Sequence, residues 1–178
     1  MRFLDAMEIR SVRPEDAATI QAIYAPFVND TAVSFEQEIP SVAEMAGRIA
    51  ALVPHFPYLV VEDNEVLGYA YASPHRKRAA YRWSCEVSVY LAPSARGKGV
   101  GRTLYAELLA QARSHGLLNA YAGITLPNDA SVGLHESLGF EAIGVYRDVG
   151  YKLGRFWDVG WWGLRLAEPE GSPREPGT

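Results

Sequence analysis

Arg96-Gly97-Lys98-Gly99-Val100-Gly101-Arg102 decides how this chain is read. An apolar run, Val87 to Leu91, precedes it and reads as a buried strand; Thr103 to Ser114 follows and reads as a helix. Glycines at alternate positions leave backbone N–H groups uncovered and permit positive φ. Such N–H groups at a helix N-terminus, with its partial positive charge, make a seat for phosphate. A P-loop is excluded, because its lysine must follow the last glycine of G-x-x-x-x-G-K-[ST]. A dinucleotide fingerprint, G-x-G-x-x-G, matches only in its first half, since Arg102 holds the third glycine position. A plain glycine turn stays open at this point.

The rest of the chain has the make-up of one globular domain. It has 178 residues, 48% of them hydrophobic and 21% charged, enough to bury a core without staples. The net charge of −4 argues against a nucleic-acid partner. Basic residues cluster locally, at Arg76-Lys77-Arg78, Arg82 and Arg96-Lys98-Arg102, which suits a small anionic ligand. For Arg76 and Lys77 a solvated edge is the alternative. Cys85 is the single cysteine, so an internal disulfide and a cysteine-rich metal site are excluded. In its apolar strand it reads as a small core residue, with a nucleophile as the sharper alternative. No apolar run approaches a membrane span, and Met1 to Ala6 is too short and too soon charged for a signal peptide, so a cytoplasmic protein is expected. Met7 is an alternative start, because the first strand pattern begins just after it.

Periodicity supplies the elements. Glu8 to Val12 alternates as a strand, and Arg13-Pro14-Glu15-Asp16 opens a helix whose apolar face is Ala17, Ile20, Ile23, Tyr24 and Phe27. Ser41-Val42-Ala43-Glu44 is a capping box ahead of Met45, Ile49 and Leu52. Tyr58 to Glu62 and Val66 to Ala72 read as a hairpin around Asp63-Asn64-Glu65, and Trp83 to Leu91 as the next strand. After the loop helix come a strand, Ala120 to Thr125, and a helix, Ala130 to Leu138, closed by Gly139. Phe140 to Tyr146 and Trp157 to Leu166 read as final strands, with Tyr151 to Arg155 as a polar connection. The expected domain is 8–167, with 1–7 as an extension and 168–178 as a Pro/Gly/Glu-rich disordered tail. The order β-α-α-β-β-β-α-β-α-β-β predicts a mixed α/β fold with helices on both faces of one sheet.

Two motifs at a set separation carry a resemblance. Arg96-Gly97-Lys98-Gly99-Val100-Gly101 resembles the pyrophosphate loop of the GNAT acyltransferases, [RQ]-x-x-G-x-[GA], and Asn128-x-x-Ser131-x-x-x-His135-Glu136-x-x-Gly139-Phe140 resembles the second half of that signature. Glu86-x-Ser88-Val89-Tyr90, Leu126-Pro127-Asn128-Asp129-x-Ser131 and Asp158-Val159-Gly160 look like the phosphinothricin acetyltransferase branch. The resemblance implies the GNAT fold, with a mostly antiparallel sheet. It implies acetyl transfer from acetyl-CoA, with no metal, to the amine of phosphinothricin, methionine sulfoximine or methionine sulfone.

Such a transfer needs a neutral amine, a stabilised oxyanion and a proton for the leaving thiolate. By resemblance Glu86 is the general base. Without it, the residue reads as a glutamate on a strand edge, since a carboxylate in an apolar strand is costly unless paired or used. His135 stands where many relatives have a tyrosine proton donor; an acid, an oxyanion donor and a structural histidine are all open. His55, His75 and His115 have no such context and read as surface or loop residues. The resemblance implies CoA contacts at Val89, Tyr90, Leu91, Arg96, Gly97, Lys98, Gly99, Val100, Gly101, Arg102, Asn128 and Ser131, and amino-acid contacts at Phe35, Arg78, Tyr81 and Val159. The aromatic end, Phe156-Trp157 and Trp161-Trp162, suggests a homodimer interface. Another acceptor amine (a polyamine, an aminoglycoside, a protein N-terminus), a CoA-binding module without chemistry and a nucleotide-binding protein remain alternatives.

Overall fold

The computed structural model of the chain describes residues 7–169 and 171–177. The expected N-terminal extension, apart from Met7, lies outside the described residues. The first strand, β1 (Glu8–Ser11), leads into a short 3-10 turn at Pro14–Asp16 and then α1 (Ala17–Asp30). Pro14 suits that turn because its missing N–H would have no helical partner there. Asp16 accepts two bonds from Arg10, at 2.8 and 2.9 Å, and one from the Arg13 N–H at 2.7 Å. Arg10 also donates to Glu62 at 2.6 Å, tying the two strands to the helix start. Next, α2 (Val42–Leu52) forms behind the expected capping box: the Glu44 N–H donates to Ser41 Oγ and the Ser41 N–H to Glu44 Oε2.

β2 (Tyr58–Asp63) and β3 (Glu65–Pro74) form the expected hairpin around Asn64, whose φ is 61°. Then come β4 (Ser84–Leu91), α3 (Val100–Ser114), β5 (Asn119–Leu126), α4 (Asp129–Ser137), β6 (Glu141–Lys152) and β7 (Arg155–Arg165). The described strands make one sheet in the order β1-β2-β3-β4-β5-β7-β6. Its pairings are antiparallel except β4 with β5. This is the mixed sheet expected from the element order, and it is mostly antiparallel, as the resemblance implies.

The helices cover both faces. Tyr69 and Tyr71 of β3 and Tyr90 of β4 pack with α1 and α2, around Ile20, Tyr24, Val28, Met45 and Ile49. Ala70, Ala72, Cys85 and Val87 point the other way, toward Val100, Leu104, Tyr105, Leu108 and Ala112 of α3. Strand alternation assigns the faces: Tyr71 opposes Ser88 and Ser73 opposes Glu86, so the Glu86 side chain is on the α1–α2 side.

The last hairpin departs from its sequence reading. Tyr151 and Lys152 belong to β6 and Arg155 to β7, leaving only Leu153-Gly154 as the turn, with φ of 52° and 77°. A two-residue hairpin of this kind needs positive φ at both positions, and leucine does not advertise that. Lys152 is buried, and its Nζ donates to the carbonyls of Val28 and Ser34, both at 2.6 Å. The hairpin is thereby fastened to the end of α1 and to the loop before α2. In the tail, Arg82 bonds Glu175 at 2.8 Å, Trp83 Nε1 donates to Arg174 O at 2.7 Å, and the Gly177 N–H donates to His115 O at 2.9 Å.

Candidate active site

The site begins where two strands part. β4 and β5 share register pairs only at Ser84–Asn119, Cys85–Ala120 and Glu86–Tyr121. Beyond Glu86, β4 stays on β3 as far as Leu91, while β5 stays on β7 as far as Leu126. The Ala92 N–H donates to Leu67 O of β3 at 2.8 Å. Alternation therefore turns the N–H groups of Leu91 and Val89 toward the open gap. On that edge the Leu91 carbonyl accepts Arg96 Nε at 3.1 Å.

The glycine loop closes one end of the gap. Gly97 and Gly99 have φ of 70° and 82°, so both use the freedom only glycine offers cheaply. Gly99 is the N-cap of α3 and no side chain caps it, and uncovered N–H groups in a first helical turn suit an anion. At Gly101 a Cβ would lie 3.1 Å from Leu91 Cδ1, so the Leu91 side chain would have to give way slightly. A cavity of about 560 Å³ joins the loop glycines, Arg96 and Arg102 to Val89, Leu91, Asn128 and Ser131. The Arg96 guanidinium lies 4.9 Å from the Phe27 ring centre. Asn128 Oδ1 accepts the Ser131 N–H at 3.1 Å and so caps α4. Most of the expected CoA residues thus meet on one cleft. Tyr90 faces the opposite side, with its ring 5.1 Å from those of Tyr24 and Phe27. Val100 is buried, so it can offer the cleft only its backbone.

His135 is buried on α4 and lines a smaller hollow of about 60 Å³ between the parted strands. Its Nδ1 lies 2.7 Å from the Ser131 carbonyl, which can only accept, so Nδ1 carries the proton. Its Nε2 then accepts from the Tyr105 hydroxyl at 3.0 Å. Burial favours the neutral ring and holds its pKa below the usual histidine value, outweighing the Ser131 bond, which favours the charged form. Cys85 is fully buried, and burial, with the nearby Glu86 charge, pushes its thiol up to about 12. It is a core residue, because reactivity needs the thiolate.

Glu86 stands at the last register pair before the gap, half-exposed. Two groups contact its Oε1: His75 Nδ1 at 3.1 Å and Arg76 Nη1 at 2.9 Å. The His75 ring rests on Tyr121, with centroids 4.6 Å apart, and Arg76 lies 5.7 Å over the Trp161 ring. A cavity of about 380 Å³ opens on the same side of the sheet. It is lined by Tyr24, Tyr58, Tyr69 and Tyr71, the Glu36–Arg48 pair, and Ser73, the register partner of Glu86.

Residues 9–161 match the family model described as "Acetyltransferase (GNAT) domain". The chain belongs to the GNAT acetyltransferases. Phosphinothricin N-acetyltransferase of Alcaligenes faecalis is 44% identical over 157 residues, covering 86% of this chain and 80% of that protein. The L-methionine sulfoximine/L-methionine sulfone acetyltransferase of Salmonella typhimurium is 37% identical over 164 residues, covering 91% and 96%. Among solved structures, a GNAT phosphinothricin acetyltransferase of Sinorhizobium meliloti in complex with acetyl-CoA superposes with a TM-score of 0.91. It is 37% identical to this chain, over 96% of this chain and 94% of that one. The chain is accordingly an N-acetyltransferase that uses acetyl-CoA.

Within this GNAT frame, the residues expected at the amino-acid pocket are less gathered. Phe35 lies in the loop between α1 and α2, against Gly150 of β6, where a Cβ would collide with its ring. Val159 pairs with Thr125 and Tyr146. Tyr81 ends a short 3-10 turn with its ring 6.0 Å from that of His75. Arg78 is exposed at the start of that turn, and Arg76 is the arginine that reaches Glu86. His75, read as a surface or loop residue, does lie in the loop after β3, but it is 14% exposed and contacts Glu86. Arg76 likewise is not merely a solvated edge. The signal was the hairpin: pairing β3 on β4 sets Ser73 opposite Glu86, so the next residues after β3 fall beside that carboxylate. No helix among the described residues is long and apolar enough to cross a membrane.

Proposed function

We propose that the chain acetylates the free amine of a small glutamate-like amino acid, of the phosphinothricin, methionine sulfoximine or methionine sulfone type. The amine attacks acetyl-CoA directly, with Glu86 as general base. The observation that carries the reading is the place of Glu86, where β4 leaves β5 and the Val89 and Leu91 N–H groups turn into the gap. The names of the relatives support the acceptor class.

Each part of the reaction then falls to a group of this chain. An α-amine, with an ordinary pKa near ~8, is mostly protonated at neutral pH. Glu86 accepts its proton, through water, at Oε2, because both protein contacts fall on Oε1. The Val89 N–H donates to the acetyl oxygen as charge develops on it, a preorganised donor in a narrow gap. The loop N–H groups from Gly97 to Gly101, with Arg96, Lys98 and Arg102, hold the pyrophosphate. Asn128 and Ser131 hold the pantetheine arm, and His135 keeps their helix turn in place. Phe35, Arg78, Tyr81 and Val159 border the acceptor. A cell making such an enzyme would resist phosphinothricin.

Thiol release measured with DTNB across a panel of amines tests the acceptor. Phosphinothricin and methionine sulfoximine or sulfone should give the highest kcat/KM. A higher value for a polyamine, an aminoglycoside or a peptide N-terminus would overturn the class. Glu86→Gln should lower kcat by about 10²- to 10⁴-fold while acetyl-CoA affinity changes less than about twofold; unchanged turnover would remove Glu86 from the chemistry.

We also propose that two copies of the chain pair through β6 and β7. Ile143, Tyr146, Val149, Tyr151, Leu153 and Phe156 are each more than half exposed, more apolar surface than one hairpin leaves to water without cause. Trp162, expected at that surface, is buried in the core instead.

A further inference from the structure

We propose that His75 is a positioning residue for Glu86: it donates its Nδ1–H to Oε1 and, with Arg76, holds the carboxylate so that Oε2 faces the acceptor amine. This rests on the reading of Glu86 as the general base. The geometry singles out His75. It follows directly on β3, whose Ser73 and Pro74 oppose Glu86 and Cys85, so the backbone delivers it to the side of the base. Its side chain is 14% exposed, against 44% for Arg76, and it lies 3.1 Å from Oε1.

Aromatic rings fix its orientation. Tyr121, the register partner of Glu86 on β5, lies 4.6 Å away in a tilted stack. Tyr81 and Trp161 meet it edge-on at 6.0 and 6.2 Å. The titratable and charged groups facing the ring are therefore Glu86 from β4, Arg76 from its own segment, Tyr81 from the 3-10 turn and Tyr121 from β5. Trp161 closes the β7 side without charge. A ring clamped in this way cannot follow the carboxylate if the carboxylate swings, so the bond holds Glu86 to one arrangement.

Arg76 sets a positive charge on the same Oε1. No covalent step is involved: the amine proton passes to Oε2 and on to water, and His75 keeps its own.

The test compares His75→Phe, His75→Asn and the parent enzyme with Glu86→Gln as a reference, using the acceptor that gives the highest rate. His75→Phe keeps a flat ring on Tyr121 but loses the donor. It should lower kcat by about ten- to a hundredfold, with acetyl-CoA KM within about twofold. His75→Asn keeps an N–H near the Nδ1 position and should recover most of kcat at neutral pH. Two results overturn the proposal: a folded His75→Phe with parental kcat, or a His75→Asn as impaired as His75→Phe. If Glu86→Gln itself turns over normally, the base assignment fails. If Glu86→Gln is inactive while His75→Phe is normal, only the role of His75 fails.

Discussion

At the residue scale, the neighbours of a side chain decide what it can do. His135 shows this. Its motif position allows an acid, an oxyanion donor or a structural role, and its bonds to Ser131 and Tyr105 occupy both ring nitrogens. With its pKa lowered by burial, the folded chain binds fewer protons there than the unfolded chain. The stability it contributes is thus complete above about pH 6.5 and is lost as pH falls through the lower folded value. His135→Ala should cost about 2–4 kcal/mol, because it opens a hole and leaves the Tyr105 hydroxyl and the Ser131 carbonyl without that partner. It should also remove the part of the acid-side decline in Tm that begins near neutrality. Thermal melts from pH 5 to 8 check both, and a variant as stable as the parent would leave His135 free for proton chemistry. Glu86 was legible as a costly carboxylate in an apolar strand. Its partners His75 and Arg76 were not, because pairing across a sheet ignores distance along the chain.

At the element scale, most of the architecture was legible. The capping box at Ser41, the helix entry at Pro14, the hairpin at Asn64 and the glycine loop before α3 are local chemistry, and local chemistry is written in order. The final hairpin was not, because Leu153 adopts positive φ under the demand of the paired strands. The Arg10–Asp16–Glu62 cluster was also hidden, since it joins β1, the first helix and β2. Burial alone would raise the Asp16 carboxyl. The Arg10 guanidinium and the Arg13 N–H outweigh burial and hold its pKa below the usual range. The contribution to stability is therefore present above the unfolded value near ~4 and is lost as pH falls through the depressed folded value. Asp16→Asn should lower Tm at pH 7 by several degrees, ~1–3 kcal/mol, and narrow the gap to the parent as the pH drops below about 4. A constant gap from pH 7 to pH 3 would show that the pair does not carry the dependence.

At the scale of the whole molecule, the sheet has one covered half and one bare one. α1, α2 and α3 bury β2 to β5, while nearly all of β6 is exposed. A pair formed through that hairpin should appear as twice the chain mass of 19.6 kDa in light scattering. Tyr151→Glu with Phe156→Glu should return it to one mass, while a parent enzyme already monomeric at micromolar concentration would refute the pairing. The sequence by itself determined most of the elements, their order, the glycine loop before α3 and the family, because glycine spacing, caps and apolar periodicity act over a few residues. Only the tertiary structure decided the parting of β4 from β5, the encirclement of Glu86 by His75, Arg76, Tyr121 and Trp161, and the seat of Lys152 under α1. Those arise from sheet register, which joins residues far apart in the chain through backbone bonds that carry no side-chain signature.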